Sequence, residues 1–563
     1  MIVRFVPIFA LAVVLSVTQA AAQAVSAKHG MVVTEQRIAS QVGVDILRSG
    51  GNAVDAAVAV GYAEAVVHPC CGNIGGGGFM VIHLAQGKDI FIDFRETAPA
   101  ASSATMFLDA QGNVIKDSST YGYRAVAVPG TVLGLDSALK EYGTLSRAKV
   151  MGPAIKLARY GFVLTKADID TLRPATRLKD DKAAARIFRR KNGTPLRAGD
   201  LLVQRDLART LTAIERRGPQ AFYRGDIPKA IEAAAKAGNG VIAAADFANY
   251  KIAESDPVQC RYRGYVFLSA PPPSSGGVAL CEILNVLELY DLKALGFHTA
   301  DSIHVMVEAM RHAFMDRNTY LGDPAFVQNP VERLTSKVYA ALIRQKILPD
   351  KATPSSEIVP GAAPHEKLET THYSIVDAQG NAVSVTYTIN GYFGAQVMAP
   401  GTGFLLNDEM DDFTSSPGTP NMFGLVQGQA NAIAPGKRPL SSMTPTIVTK
   451  DGKVYMVLGS PNGPRIISVT LQTALNVIDY GMTIGQAVAA PRIHEQWLPD
   501  AIFAEAKALS PPVQDELEHR GYTIKPIPPF GASEAIKIGT KDGLPLLQGA
   551  NDPRSKAGAA IGY

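Results

Sequence analysis

Glu369-Thr370-Thr371-His372-Tyr373-Ser374-Ile375-Val376-Asp377 marks the point where a proline-rich segment gives way to a strand headed by two hydroxyls. A threonine hydroxyl alone is a poor nucleophile, because its pKa lies far above neutrality and no obvious base stands beside it in sequence. If the threonine becomes a chain terminus, its freed α-amine titrates near pH ~7.7–8.0 and serves as base for its own side chain. That requires the Glu369–Thr370 bond to break. Upstream, Lys351 to Lys367 carries Pro354, Pro360, Gly361 and Pro364 with little apolar periodicity, which reads as a loop able to leave. Downstream, Tyr373, Ile375 and then Ala382 to Ile389 alternate as two strands joined across Ala378-Gln379-Gly380-Asn381, a hairpin signal. Thr370 is thereby predicted at the first residue of a core strand.

The chain has 563 residues, which calls for two domains or one large layered sandwich. Its 55 Lys and Arg face 51 Asp and Glu, interspersed, so no polyanion-binding surface is implied and nucleic acid is not an expected partner. Residues 1–24 have the layout of a secretory signal: one early charge at Arg4, an apolar run Phe5 to Val17, then small residues to Ala24. Cleavage is expected after Ala22 or Ala24. The apolar run is shorter than the ~20 residues needed to span a bilayer, and no later stretch reads as a span, so the mature protein is expected to be exported, to the periplasm or the medium. Cys70, Cys71, Cys260 and Cys281 lack metal-site spacing, and neighbours such as Cys70 and Cys71 pair poorly with each other. They receive no catalytic role, and no metal site is expected.

Along the chain, apolar positions Ile38, Val42, Ile46 and Leu47 fall on one helical face, and Gly50-Gly51 ends the pattern. Asn52 caps a second helix with Asp55 in its first turn. The run Gly72 to Gly78 leads into a strand Phe79 to Leu84 and its partner Asp89 to Phe94. Phosphate cradles run from strand into helix, whereas this glycine run leads from helix into strand; close backbone packing is the better reading. Residues 130 to 345 are mostly helical in pattern. Beyond Thr370 strands return, with Thr446 to Thr449 and Val454 to Leu458 before an apolar helix Arg465 to Tyr480. Strands near both ends with helices between predict helical layers packed on sheets.

Small polar clusters crowd the part after Thr370. Thr386, Thr388 and Asn390 share one strand face, and Thr388 reaches Thr370 if the two strands are neighbours. Asn407-Asp408-Glu409-Met410-Asp411-Asp412 suits a hard cation, a solvated turn or an ammonium group, which needs acceptors and negative charge at short range. Ser441 and Ser442 lie beside prolines that fix the backbone and would donate to a carboxylate without adding charge. Asn462-Gly463 precedes a helix, where free N–H groups and the positive dipole end favour an oxyanion.

Taken together, Thr370 to Ser374, Asn407 to Phe413, Lys437 to Pro445 and Asp93-Phe94-Arg95-Glu96-Thr97-Ala98-Pro99 closely resemble the γ-glutamyltransferase, or γ-glutamyltranspeptidase, family. The resemblance runs from Gly50 to Arg554. It implies an α+β, four-layer αββα sandwich of the N-terminal-nucleophile hydrolase type. One precursor cuts itself into a larger subunit, residues 25–369, and a smaller one, residues 370–563, which remain together as a heterodimer. In this resemblance Thr370 matches the nucleophile and Thr388 the hydroxyl that supports it. Arg95, Ser441 and Ser442 match the group holding the substrate α-carboxylate, and Asn390, Glu409 and Asp412 the group receiving its α-amine. Asn462 and Gly463 stand at the oxyanion hole, where two glycines are common. Residues 417–428 resemble a lid present in some members, with Phe423 where some relatives have tyrosine.

The implied activity is γ-glutamyl transfer and hydrolysis, with glutathione and other γ-glutamyl donors, with amino acids, peptides or water as acceptors, and without a cofactor. A guanidinium with two hydroxyls complements the anion of a zwitterionic α-carbon, and two carboxylates complement its cation. Two rival readings remain: a cephalosporin or glutaryl amidase on the same fold, and an amino-acid-binding protein without chemistry. The first leaves Glu409 and Asp412 desolvated with no ammonium partner; the second predicts one intact chain.

Overall fold

The computed structural model describes residues 24–355, 370–416 and 418–563. The expected leader, apart from Ala24, most of the proline-rich segment, Glu369 and the first residue of the expected lid lie outside the described residues.

Two seven-stranded sheets dominate. The first runs, edge to edge, Ala559–Gly562, Met31–Thr34, Thr371–Val376, Ala382–Thr388, Gly77–His83, Asp89–Asp93 and Ala253–Ser255, with every neighbouring pair antiparallel. The second runs Val25–Ala27, Leu544–Ala550, Ala535–Lys541, Lys453–Leu458, Thr446–Lys450, Tyr265–Ser269 and Val258–Tyr262. Strand alternation sets the layers. On Gly77–His83, Met80 and Ile82 enter the core beneath the helices, while Phe79 and Val81 enter the core between the sheets. On Lys453–Leu458, Val457 faces the inter-sheet core and Met456 and Leu458 face the opposite helical layer.

The helix Ala53–Val67 is buried at every position and packs on the two central strands of the first sheet. Apolar residues all round its circumference fit that location. Its Asn52 cap is present as expected, and Asp55 is held by the N–H groups of Asn52, Thr144 and Leu145. On the far side Gly276–Leu287 packs against Val258–Tyr262 and Tyr265–Ser269, flanked by Ala300–Tyr320 and Arg465–Ile478. The order helix, sheet, sheet, helix is the four-layer sandwich expected.

The strand Thr371–Val376 is third of seven, between Met31–Thr34 and Ala382–Thr388. Tyr373 and Ile375 face the helices, and the Tyr373 hydroxyl donates to the Ala57 carbonyl at 3.1 Å. Val376, and by alternation His372 and Ser374, face the second sheet. The register pairs Thr371 with Tyr387, so one further step sets Thr370 opposite Thr388. Both sheets take strands from either side of Thr370, so a cut there divides the chain without dividing the sandwich into separate cores.

Two expectations change, and one open question is answered. The segment 130–345 contains, besides its helices, the strands Ala253–Ser255, Val258–Tyr262 and Tyr265–Ser269; on Val258–Tyr262 buried and exposed residues alternate strictly. Cys260 on that strand is bonded to Cys281 on the adjacent helix. Cys70 and Cys71, expected to pair poorly, are also bonded to each other. They occupy the turn between the helix Ala53–Val67 and the strand Gly77–His83, where Phe393 and Ile389 N–H groups bind their carbonyls at 2.8 and 3.0 Å and both side chains fall on one side.

Candidate active site

Thr370 is 4% exposed and lines a small cavity of about 20 Å³ together with Thr388, Asn390, Arg95, Glu409, Asp412, Ser441, Ser442 and Gly463. Nine of the ten residues singled out from the sequence thus meet around one space. The tenth, Asn462, lines a neighbouring cavity on the other side of the turn that carries Gly463.

The cavity is assembled from short local devices. The Thr388 Oγ1 accepts the Asn390 N–H at 2.8 Å, and Asn390 itself sits at φ +72°, where its amide donates to the Asp408 carbonyl at 3.1 Å. The glycine run lies against this strand end: a Cβ on Gly76 would stand 1.9 Å from the Thr388 carbonyl oxygen, and one on Gly75 2.0 Å from that of Leu405. Close backbone packing, as read from the sequence, is its role. Glu409–Asp412 is a single 3₁₀ turn, so residues three apart project to the same side. The other polar members of the cluster are structural: Asn407 bonds Ala127 and Gly75, Asp408 accepts the Gly391 N–H, and Asp411 accepts from Ser119 and Met422.

Arg95 is fully buried. Its two terminal nitrogens pair with Glu409 and Asp412, its Nε donates to the Pro439 carbonyl at 3.2 Å, and Glu96 lies 3.6 Å away. Three carboxylates therefore share one guanidinium. Burial raises the pKa of Glu409 well above the usual carboxylate range, against the pull of Arg95; it also raises that of Asp412 and brings Glu96 to about 7. The groups expected to hold the two ends of a zwitterion are thus paired with each other. An entering α-carboxylate and α-ammonium exchange these pairs without changing the net charge, whereas an anion alone adds to it.

At the turn before Arg465–Ile478, Asn462 has φ +107° and Gly463 φ +53°. The first is backbone that glycine tolerates best, which explains why asparagine here is a departure. The turn is held by Arg465 N–H to the Asn462 carbonyl and Ile466 N–H to the Gly463 carbonyl, both 3.1 Å. His372, two residues beyond Thr370, packs its ring against Gly459, where an added Cβ would lie 2.3 Å from Cε1. It bonds Thr386 and Ser374, and burial lowers its pKa to about 3, so it stays neutral.

Two residues escaped the sequence reading. Arg317, on the helix Ala300–Tyr320, donates to Ser442 at 3.3 Å and to Gln427 of the lid at 2.7 Å, and burial lowers its pKa to about 10. A charge on the buried face of a long helix was its signal. Glu35 accepts the His372 N–H at 3.0 Å, and burial lifts its pKa to about 8. In the segment expected to form a lid, Phe423 is 3% exposed, and its carbonyl accepts from Gln496 at 3.3 Å.

A family profile described as Gamma-glutamyltranspeptidase matches residues 39–562. The chain is 57% identical over 553 residues to a glutathione hydrolase proenzyme of Pseudomonas sp. strain A14, covering 97% of this chain and 96% of that one. It is 50% identical over 542 residues to a glutathione hydrolase proenzyme of Escherichia coli K12, covering 96% and 93%. Among solved structures, the cephalosporin acylase from Bacillus halodurans superposes with a TM-score of 0.84 at 27% identity, covering 100% of this chain and 99% of that one.

Proposed function

Because the chain belongs to the gamma-glutamyltranspeptidase family, we propose that it is a self-cleaving γ-glutamyl acyltransferase and hydrolase acting on glutathione and related γ-glutamyl compounds. The observation that carries this reading is the meeting of Thr370 with a guanidinium, two hydroxyls and two carboxylates around one cavity. In the precursor, Thr370 Oγ attacks the Glu369 carbonyl, the acyl group moves from nitrogen to oxygen, and water hydrolyses the ester. The products are residues 25–369 and 370–563, and Thr370 gains a free α-amine.

In the mature enzyme that amine takes the hydroxyl proton as Oγ attacks the γ-carbonyl. The developing oxyanion is received by the Asn462 and Gly463 N–H groups, and losing one such donor typically costs ~2.7–4 kcal/mol in the barrier. The amine then hands its proton to the departing nitrogen, leaving a γ-glutamyl ester on Thr370. Water, an amino acid or a peptide accepts the acyl group and regenerates the hydroxyl. Thr388 supports the nucleophile: its oxygen already accepts the Asn390 N–H, which disposes its own O–H to donate. Arg95, Ser441 and Ser442 hold the α-carboxylate; Asn390, Glu409 and Asp412 hold the α-ammonium. Recognition is concentrated at the α-carbon, so the donor is selected strictly and the leaving group loosely.

The mature protein is proposed to be exported, to the periplasm; among the described residues no helix is long and apolar enough to cross a membrane. Thr370→Ala tests the whole reading. The variant is expected to run as one chain on a denaturing gel and to release no product from a γ-glutamyl anilide; normal cleavage and turnover would refute it. The likeness to a cephalosporin acylase supports an amidase as second reading, and equal concentrations of glutathione and a glutaryl amide decide between them.

A further inference from the structure

Outside the pocket, the turn after the helix Ala53–Val67 brings three soft-ligand side chains together. His68, Cys70 and Cys71 are all buried, and an imidazole nitrogen and the two Sγ atoms lie within 4.8 Å of one another. The sulfurs are joined as a disulfide. His68 is only 8% exposed, yet its Nε2 has no hydrogen-bond partner among the described residues. Buried polar atoms are normally satisfied, so an orphaned imidazole nitrogen beside two sulfurs needs a reason. Both His68 and Cys71 line a cavity of about 580 Å³, which gives a solute a route to the turn.

The backbone here is held by hydrogen bonds as well as by the S–S bond. The Cys70 carbonyl is held by the Phe393 N–H and the Cys71 carbonyl by the Ile389 N–H, and the His68 N–H bonds the Glu64 carbonyl at 2.7 Å. Opening the disulfide therefore releases two sulfurs while the turn keeps them beside the imidazole. Thiolate and neutral imidazole are the donor set of thiophilic d¹⁰ cations, and three protein ligands with one open position is a recurrent arrangement for zinc.

We propose that the reduced form of this turn is a binding site for a thiophilic d¹⁰ cation such as Zn²⁺ or Cd²⁺, with Cys70 Sγ, Cys71 Sγ and His68 Nε2 as ligands and the fourth position facing the cavity. Reduction consumes two small thiols: two RSH and the Cys70–Cys71 bond give two cysteine thiols and RSSR. Binding then displaces the two thiol protons to solvent. The oxidised turn carries no thiolate and does not bind.

The test uses the mature enzyme, either oxidised or treated anaerobically with a phosphine reductant that is then removed. Cd²⁺ is titrated by its thiolate-to-metal charge-transfer absorption, and Zn²⁺ by competition with a chromophoric chelator. One equivalent is expected in the reduced enzyme and none in the oxidised enzyme. Cys70→Ser and Cys71→Ser should abolish the absorption. Outer-shell losses alone weaken metal sites by roughly 10–100-fold, so His68→Ala should weaken binding by at least about tenfold. Alkylation mapping of the unmutated protein removes dependence on folding of the variants: Cd²⁺ should protect Cys70 and Cys71 and leave Cys260 and Cys281 to react. Absence of the absorption after reduction, full uptake by Cys71→Ser, or protection confined to Cys260 and Cys281 would each overturn the proposal.

Discussion

Asp412→Asn separates recognition of the substrate ammonium from every other property of the pocket. Asn is nearly isosteric, and its Oδ1 can still accept from Arg95, while the Asp412 main-chain carbonyl that binds Gln427 and Asn431 is untouched. What disappears is one negative charge at the position proposed for the α-ammonium. A hydrogen bond to a charged group contributes about 1.5–3 kcal/mol. At 1.4 kcal/mol per decade, kcat/KM for a γ-glutamyl anilide should fall by roughly 10–100-fold. A glutaryl anilide has the same carboxylate and scissile amide but no amine. It enters a site where Glu96, Glu409 and Asp412 already share Arg95, so removing one carboxylate should leave its kcat/KM unchanged or raised. The ratio of the two specificity constants should therefore drop by at least about tenfold. Both are read by steady-state anilide release, on enzyme first shown to be fully cleaved. An equal fall for both substrates would assign Asp412 to scaffolding, and a γ-glutamyl constant within about threefold of the unmutated value would refute the ammonium role.

Thr371→Ala should still yield two chains on a denaturing gel, because cleavage is expected before Thr370; a single chain would move the nucleophile by one residue. Glu35→Gln should change the pH dependence of stability. Burial raises this carboxyl from 4.5 to about 8, so between those values the folded chain holds a proton that the unfolded chain has lost, and stability falls as pH rises through that window. The variant should melt with a flatter profile from pH 5 to 8, and identical profiles would contradict the assignment. Arg317→Gln removes the donors to Ser442 and Gln427 and should lower kcat/KM for the γ-glutamyl anilide by about tenfold or more, mainly through KM; an unchanged KM would place Arg317 outside substrate recognition.

The sequence by itself carried everything written in short-range pattern. Hydroxyls at the head of an alternating run placed Thr370 beside Thr388, caps and periodicity located the helix Ala53–Val67, and the glycine run read as close packing, which Gly76 against Thr388 bears out. The resemblance then gave the four layers and ten site residues, nine of which share one cavity. Tertiary structure decided what depends on residues far apart in the chain. Arg95 and Glu409, 314 positions apart, are ion partners because the chain just beyond the strand Asp89–Asp93 meets the 3₁₀ turn Glu409–Asp412. Arg317 reaches Ser442 from a helix of the opposite layer, and Cys260 meets Cys281 where the helix Gly276–Leu287 packs on the strand Val258–Tyr262. Periodicity and caps act over a few residues and survive in sequence; desolvation and charge pairing act across the packed interior, where only the closed sandwich fixes which groups meet.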